Sequence, residues 1–209
     1  LASDEVYRYR YLIAFAVVTA SMLELVDTSI VNVAIPHMMG NLGATLDEIA
    51  WVSTGYIVAN VIILPLTSWL SDRFGRRNYY TGSIILFTFA SFLAGNAHTL
   101  QELVGARVLQ GIGGGALIST AQAILFDVFP LRERGKAMAI FGMGVMVGPT
   151  LGPTLGGWIT DNYSWPWIFY INLPLGLLAG LLTWRYVPEP EHANQRSDRV
   201  DWLGLALLI

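Results

Sequence analysis

Tyr11 to Pro36 reads YLIAFAVVTASMLELVDTSIVNVAIP, and this stretch decides the fold class. It is apolar for longer than the roughly 20 helical residues that cross a hydrocarbon core. Yet it carries two carboxylates, Glu24 and Asp27, and an amide, Asn32. Such groups are tolerated inside a membrane where protein or a water-filled cavity surrounds them. The stretch therefore predicts a transmembrane helix packed within a bundle. It is too long for a signal peptide and lacks a small-residue cleavage site.

Five more apolar stretches follow, which places spans at about 11–35, 48–70, 79–96, 100–124, 136–160 and 166–187. A seventh begins at Asp201. Hydrophobic residues make up 54% of the chain and charged residues 13%, about half the charged share of a soluble domain. Cysteine is absent, which excludes disulfides and thiol metal sites. The chain starts at Leu1 and stops inside the run Trp202–Ile209, so a piece of a longer polypeptide is expected.

Of the 12 Lys and Arg residues, all but Arg107 fall on one side of this arrangement. Arg8 and Arg10 precede the first span; Arg73, Arg76 and Arg77 separate the second and third. Arg132, Arg134 and Lys136 separate the fourth and fifth; Arg185, Arg196 and Arg199 follow the sixth. The opposite loops carry no Lys or Arg. The positive-inside rule then makes the N-terminus and both Arg-rich loops cytoplasmic, in the inner (cytoplasmic) membrane.

Arg107 lies within the fourth span, where an isolated charge costs several kcal/mol. Asp27 sits about 13 Å inside the outer end of its helix, taken at Pro36, and Arg107 about 10 Å inside its own, taken near Leu100. Their depths match, and Glu24 lies about one turn deeper. Positions i and i+3 share a helix face, so both acids point the same way. Burial in low dielectric favours the protonated form of a carboxylate, and a neighbouring arginine favours the ionised one. Asp27, Arg107 and Glu24 are thus the candidate proton-coupling set; the competing reading is a static ion pair that fixes packing. Glu24 could equally be a cation-binding group facing a cavity. Gln110, one turn from Arg107, and Asn32 are candidate supporting groups.

In the fifth span Gly144, Gly148, Gly152 and Gly156 recur every four residues, which lays a smooth groove along one face for a second backbone. Pro149 and Pro153 each remove an amide donor and bend the helix; Gly157 adjoins the run. The pattern suits a rocking surface or a tight fixed crossing. Gly111, Gly113, Gly114 and Gly115 lie inside an apolar helix, without the strand-turn-helix context of a nucleotide cradle. The loop Ser71-Asp72-Arg73-Phe74-Gly75-Arg76-Arg77-Asn78 has Gly75 for a tight turn, and Asp72 suggests a specific salt bridge. His37, His98 and His192 fall in loops without partners. No enzyme activity, metal, cofactor or nucleic acid is expected.

With these residues in place the chain resembles the major facilitator superfamily, and within it the 14-helix drug/proton antiporters of the EmrB/QacA type. Val26 to Pro36 is similar to the first-helix signature of that family, and Trp51-Val-Ser-Thr54-Gly-Tyr56 to its second-helix motif. Leu70 to Arg77 resembles the conserved cytoplasmic loop, with Ser68 where glycine usually opens it. Arg107-Val-Leu-Gln110-Gly111 resembles the fourth-helix proton-coupling motif. Gly148-Pro149 to Gly156-Gly157 resembles the antiporter motif, and Trp165-Pro166-Trp167 a Trp-Arg-Trp signature without its arginine.

The resemblance implies an all-α membrane protein: a six-transmembrane-helix bundle at 1–190, the N-terminal half of a major facilitator fold. Residues 191–209 would be a cytoplasmic linker and the start of a truncated seventh helix. It implies a three-plus-three inverted repeat, a second bundle from the same polypeptide, and export of amphipathic or cationic compounds in exchange for protons by alternating access. Asp72, Arg73, Gly75, Arg76 and Arg77 would lock one state, and the fifth helix would line the interface between bundles. A periplasmic adaptor, as in EmrB-type relatives, would be a partner beside the lipid bilayer. Trp51, Trp165 and Trp167 are placed in the interfacial belt. A transporter of one metabolite or siderophore, or a non-transporting scaffold or sensor, remain the rival readings.

Overall fold

A computed structural model of the protein describes residues 2–189, with side chains described from Tyr7 onward. The seventh span expected from Asp201, together with Arg196, Arg199 and His192, lies outside the described residues. Among those described, six long helices form one bundle without strands. They are α1 (Ala2–Leu42), α2 (Leu46–Phe74), α4 (Leu100–Val128), α5 (Leu131–Asn162) and α6 (Trp167–Tyr186), with α3 (Arg76–Gly95) between α2 and α4. All except α3 are long and apolar enough to cross a membrane by length and composition alone. α3 opens on Arg76-Arg77-Asn78, which dilutes its hydropathy, but its 20 residues span about 30 Å, the thickness of a hydrocarbon core.

Local chemistry sets the boundaries. Thr45 with Glu48 and Thr99 with Glu102 form capping boxes that start α2 and α4, each satisfying two otherwise orphan donors. Pro65 turns part of α2 into a 3-10 segment, Leu64–Leu66, because it offers no amide to the helical ladder. Gly75 ends α2 at φ 85°, a conformation open to glycine and costly for other residues. The outer end of the first helix, expected at Pro36, is instead at Leu42. A proline removes only one hydrogen bond, and Pro36 is exposed, so the helix continues past it.

The neighbour relations carry the architecture. α1 packs on α5, α6 and α4; α4 packs on α2, α3 and α1; α3 packs on α6. Exchanging α1 with α4, α2 with α5 and α3 with α6 leaves that set of pairs unchanged. This is the three-plus-three repeat written in packing.

The interior divides into two apolar clusters. One, toward the Arg-rich end, includes Leu23, Ile84, Phe87, Leu117 and Ala179. The other includes Val26, Val52, Ala94, Leu103, Ala106 and Phe169. Between Leu23 and Val26, and between Ala106 and Leu117, sits a thin polar layer.

Glycine makes the close crossings. On α4 a Cβ at Gly113 would sit 2.7 Å from the Phe87 amide of α3, and one at Gly115 would sit 2.9 Å from the Asn60 carbonyl of α2. On α5 a Cβ at Gly148 would meet Leu25 at 2.7 Å and one at Gly152 would meet Ser29 at 2.5 Å, while Gly144 and Gly156 face Val18 and Ile30. The glycine face of α5 is therefore buried against α1 of the same bundle. Pro149 and Pro153 lie on its exposed side with Met143, Met146 and Leu151, and the helix runs unbroken through both. Gly157 has open space around it.

Candidate functional site

Asp27 and Arg107 meet in the polar layer at 2.5 Å, each about 1% exposed. Gln110, one turn from Arg107, accepts from the guanidinium at 2.7 Å and donates to Asp27 Oδ1 at 2.8 Å. Asn172 of α6 donates to the same oxygen at 2.8 Å and to Ser91 Oγ of α3 at 2.9 Å. Ser91 also accepts from Gln110 and donates to the Phe169 carbonyl. Arg107 Nε donates to the Val52 carbonyl of α2 at 3.1 Å, and its guanidinium lies 4.2 Å from the centroid of the Tyr56 ring. Every helix except α5 contributes to this network. A guanidinium in contact with carboxylate, amide, carbonyl and π face has its charge answered on all sides.

Glu24 sits nearby with separate partners. Its Oε1 accepts from Asn60 at 2.8 Å and Tyr56 at 3.4 Å, both on α2, while its buried Oε2 has no partner among the described residues. The two acids of α1 are thus adjacent on the helix but held by different neighbours. Tyr56 touches Glu24 through its hydroxyl and Arg107 through its ring.

Asn32 does not join the network. It is exposed and accepts from Ser53, because five residues beyond Asp27 is roughly 140° round the helix. Ser91, Asn172, Tyr56 and Asn60 belong to the polar layer although none was expected as a site residue; Tyr56 and Asn172 stood only within motifs that carry the family resemblance. The available signal was that each is a polar group inside an apolar span.

At the Arg-rich end, Arg76 pairs with Asp127 of α4 and Arg77 with Glu189 at 3.7 Å. Asp72 and Arg73 are exposed, and among the described residues Asp72 has no ion-pair partner. Arg76, on the first turn of α3, faces the end of α4 and makes the ion pair between those two helices. Ser68 is exposed beside a cavity of about 230 Å³ shared with Asp72, Ser119 and Thr120, so among the described residues no close crossing there demands glycine. Trp51 and Trp167 are exposed at 57% and 51%, but Trp165 is buried against Phe169 in the core. Trp165 is therefore a packing residue and not part of an interfacial belt. Among the described residues, no group of three or more His, Cys, Asp or Glu is placed to hold a metal ion.

The Major Facilitator Superfamily family model matches residues 17–208. This chain belongs to that superfamily. Within the superfamily it is 42% identical over 190 residues to the fatty acid resistance protein FarB of Neisseria gonorrhoeae, covering 91% of this chain and 37% of FarB. It is 41% identical over 200 residues to the multidrug export protein EmrB of Haemophilus influenzae, covering 95% of this chain and 39% of that protein. The chain thus spans less than two fifths of the length of these relatives. Among solved structures, the human organic anion transporter MFSD10 superposes with a TM-score of 0.74 at 20% identity, covering 96% of this chain and 53% of that one. The proton:xylose symporter XylE superposes at 0.77 and 18% identity, covering 87% and 45%. These two likenesses concern the fold. As a major facilitator chain with long apolar helices, this is a multi-pass membrane protein.

Proposed function

We propose that this chain is the N-terminal bundle, 1–190, of a proton-coupled exporter of amphipathic compounds, with 191–209 leading into a seventh helix. The observation that carries the reading is the buried Asp27–Arg107 pair, tied into five helices at the level of the polar layer. Intramembrane ionisable groups held this way mark ion pathways and proton relays. Asp27, Glu24 and Arg107 form the coupling set, with Gln110 as support. A change in the charge of an α1 carboxyl alters the hold on Arg107, and with it the fit of α4 against α1.

The exposed side of α5, with Met143, Met146 and Leu151, supplies an apolar wall facing the second bundle, and Asp72 and Arg73 supply charges for a lock against it. The segregated Lys and Arg residues support a cytoplasmic N-terminus in the inner membrane. The names of EmrB and FarB support amphipathic substrates, and an adaptor protein continuing the export path fits the same reading. FarB's name favours one variation, in which the exported amphiphile is an acid. Expression of the full-length parent in a pump-deficient host should raise tolerance to cationic dyes or to long-chain fatty acids, and D27N should remove that tolerance. Tolerance unchanged by D27N would sink the assignment.

A further inference from the structure

Two carboxyls one turn apart on α1 have opposite surroundings. Asp27 has both oxygens engaged: Oδ2 takes Arg107, and Oδ1 takes Gln110 and Asn172, three of a carboxylate's roughly four acceptor positions. Neither oxygen is free of a donor from a neighbouring helix. Glu24 is 7% exposed, has both of its donors on Oε1, and leaves Oε2 buried and unpartnered among the described residues. A proton on Oε2 removes a charge that the membrane interior opposes, and it disturbs neither existing hydrogen bond.

Resting on the proton-coupled reading above, we propose that Glu24 is the carboxyl that loads and unloads the exchanged proton, and that Asp27 is the latch held by Arg107. The groups facing Glu24 fit this division. From α2 come Tyr56 and Asn60, at i and i+4 on one face. On α1 itself the nearest charge is Asp27. From α4, Arg107 lies over the face of the Tyr56 ring, whose hydroxyl is the part that meets Glu24. From α3, Tyr80 spends its hydroxyl on the Val17 and Leu117 carbonyls. α5 has no titratable residue between Lys136 and Asp161. So among the described residues no cation competes with the proton at Glu24.

Tyr56 is itself closely packed: a Cβ on Gly114 of α4 would sit 2.7 Å from its hydroxyl. Tyr56 is then the mechanical link. Its hydroxyl reports the state of Glu24, and its ring carries the guanidinium that holds Asp27.

The test is pH-difference infrared spectroscopy on the purified full-length transporter in detergent, which needs no identified substrate. Wild type should show a protonated-carboxyl carbonyl band that vanishes on alkalinisation; E24Q should lose this band and D27N should retain it. N60A, which keeps the carboxyl but removes its closest donor, should shift the band. A band lost in D27N and kept in E24Q overturns the proposal, as does a band kept in both or unmoved by N60A. Wild-type vesicles that move no protons would instead overturn the transport reading, whatever the infrared spectra gave.

Discussion

The Asp27–Arg107 contact combines two charges whose separate burial is prohibitive. Breaking a buried pair by removing one partner costs about 3–5 kcal/mol, because the other charge is stranded. R107Q alone should therefore lower the thermal unfolding midpoint of the full-length protein sharply. The double variant R107Q/D27N should recover most of that midpoint without recovering coupled transport. Ser91→Val leaves two donors without their acceptor and should cost about 1–3 kcal/mol in the same assay. Asp27 and Arg107 were legible in the sequence because a charge inside an apolar run is conspicuous and its depth can be counted from the helix end. Ser91 and Asn172 were not. Small polar residues recur on transmembrane helices as packing groups, and only the helix rotation aims these two at Asp27. Asn32 misled for the same reason: membership in a span says nothing about which face a residue occupies.

At the scale of elements, the glycine periodicity of α5 announced a close crossing without naming its partner, since any helix can lie in a smooth groove. The structure seats α1 there, which makes the groove part of the bundle's own core. G148V and G152V should thus destabilise the full-length transporter by about 1–3 kcal/mol or more through overpacking. G157A should leave folding intact because nothing lies within 4 Å of its added methyl. Folded yield by size-exclusion chromatography of the detergent-solubilised full-length protein separates the two groups. Equal losses in all three variants would show that helix backbone propensity, and not the α1 contact, governs this face. The Arg76–Asp127 pair is half exposed and joins two helix ends, so its charge-reversal double variant should change stability by no more than about 1 kcal/mol.

For the whole molecule, the repeat is invisible as residue identity but plain in which helices touch. The interchange of α1–α3 with α4–α6 depends on backbone course, which many sequences can satisfy. One consequence is that α1 and α4, the helices carrying Asp27 and Arg107, are equivalent partners across the repeat's centre. A coupling pair placed there can relax both triplets of helices at once. The bundle has its own core, so the 209-residue chain alone should fold in detergent yet move no protons in proteoliposomes, since midplane sites of this superfamily's fold lie between its two six-helix bundles. Coupling of protons to export by the α1 carboxyls and Arg107 is what a flux measurement can decide. The most direct test energises everted vesicles carrying the full-length parent with a pH gradient, then adds a cationic dye or a long-chain fatty acid. Substrate-dependent collapse of the gradient is expected in wild type and not in D27N; equal collapse in both would mean that Asp27 does not couple protons to export.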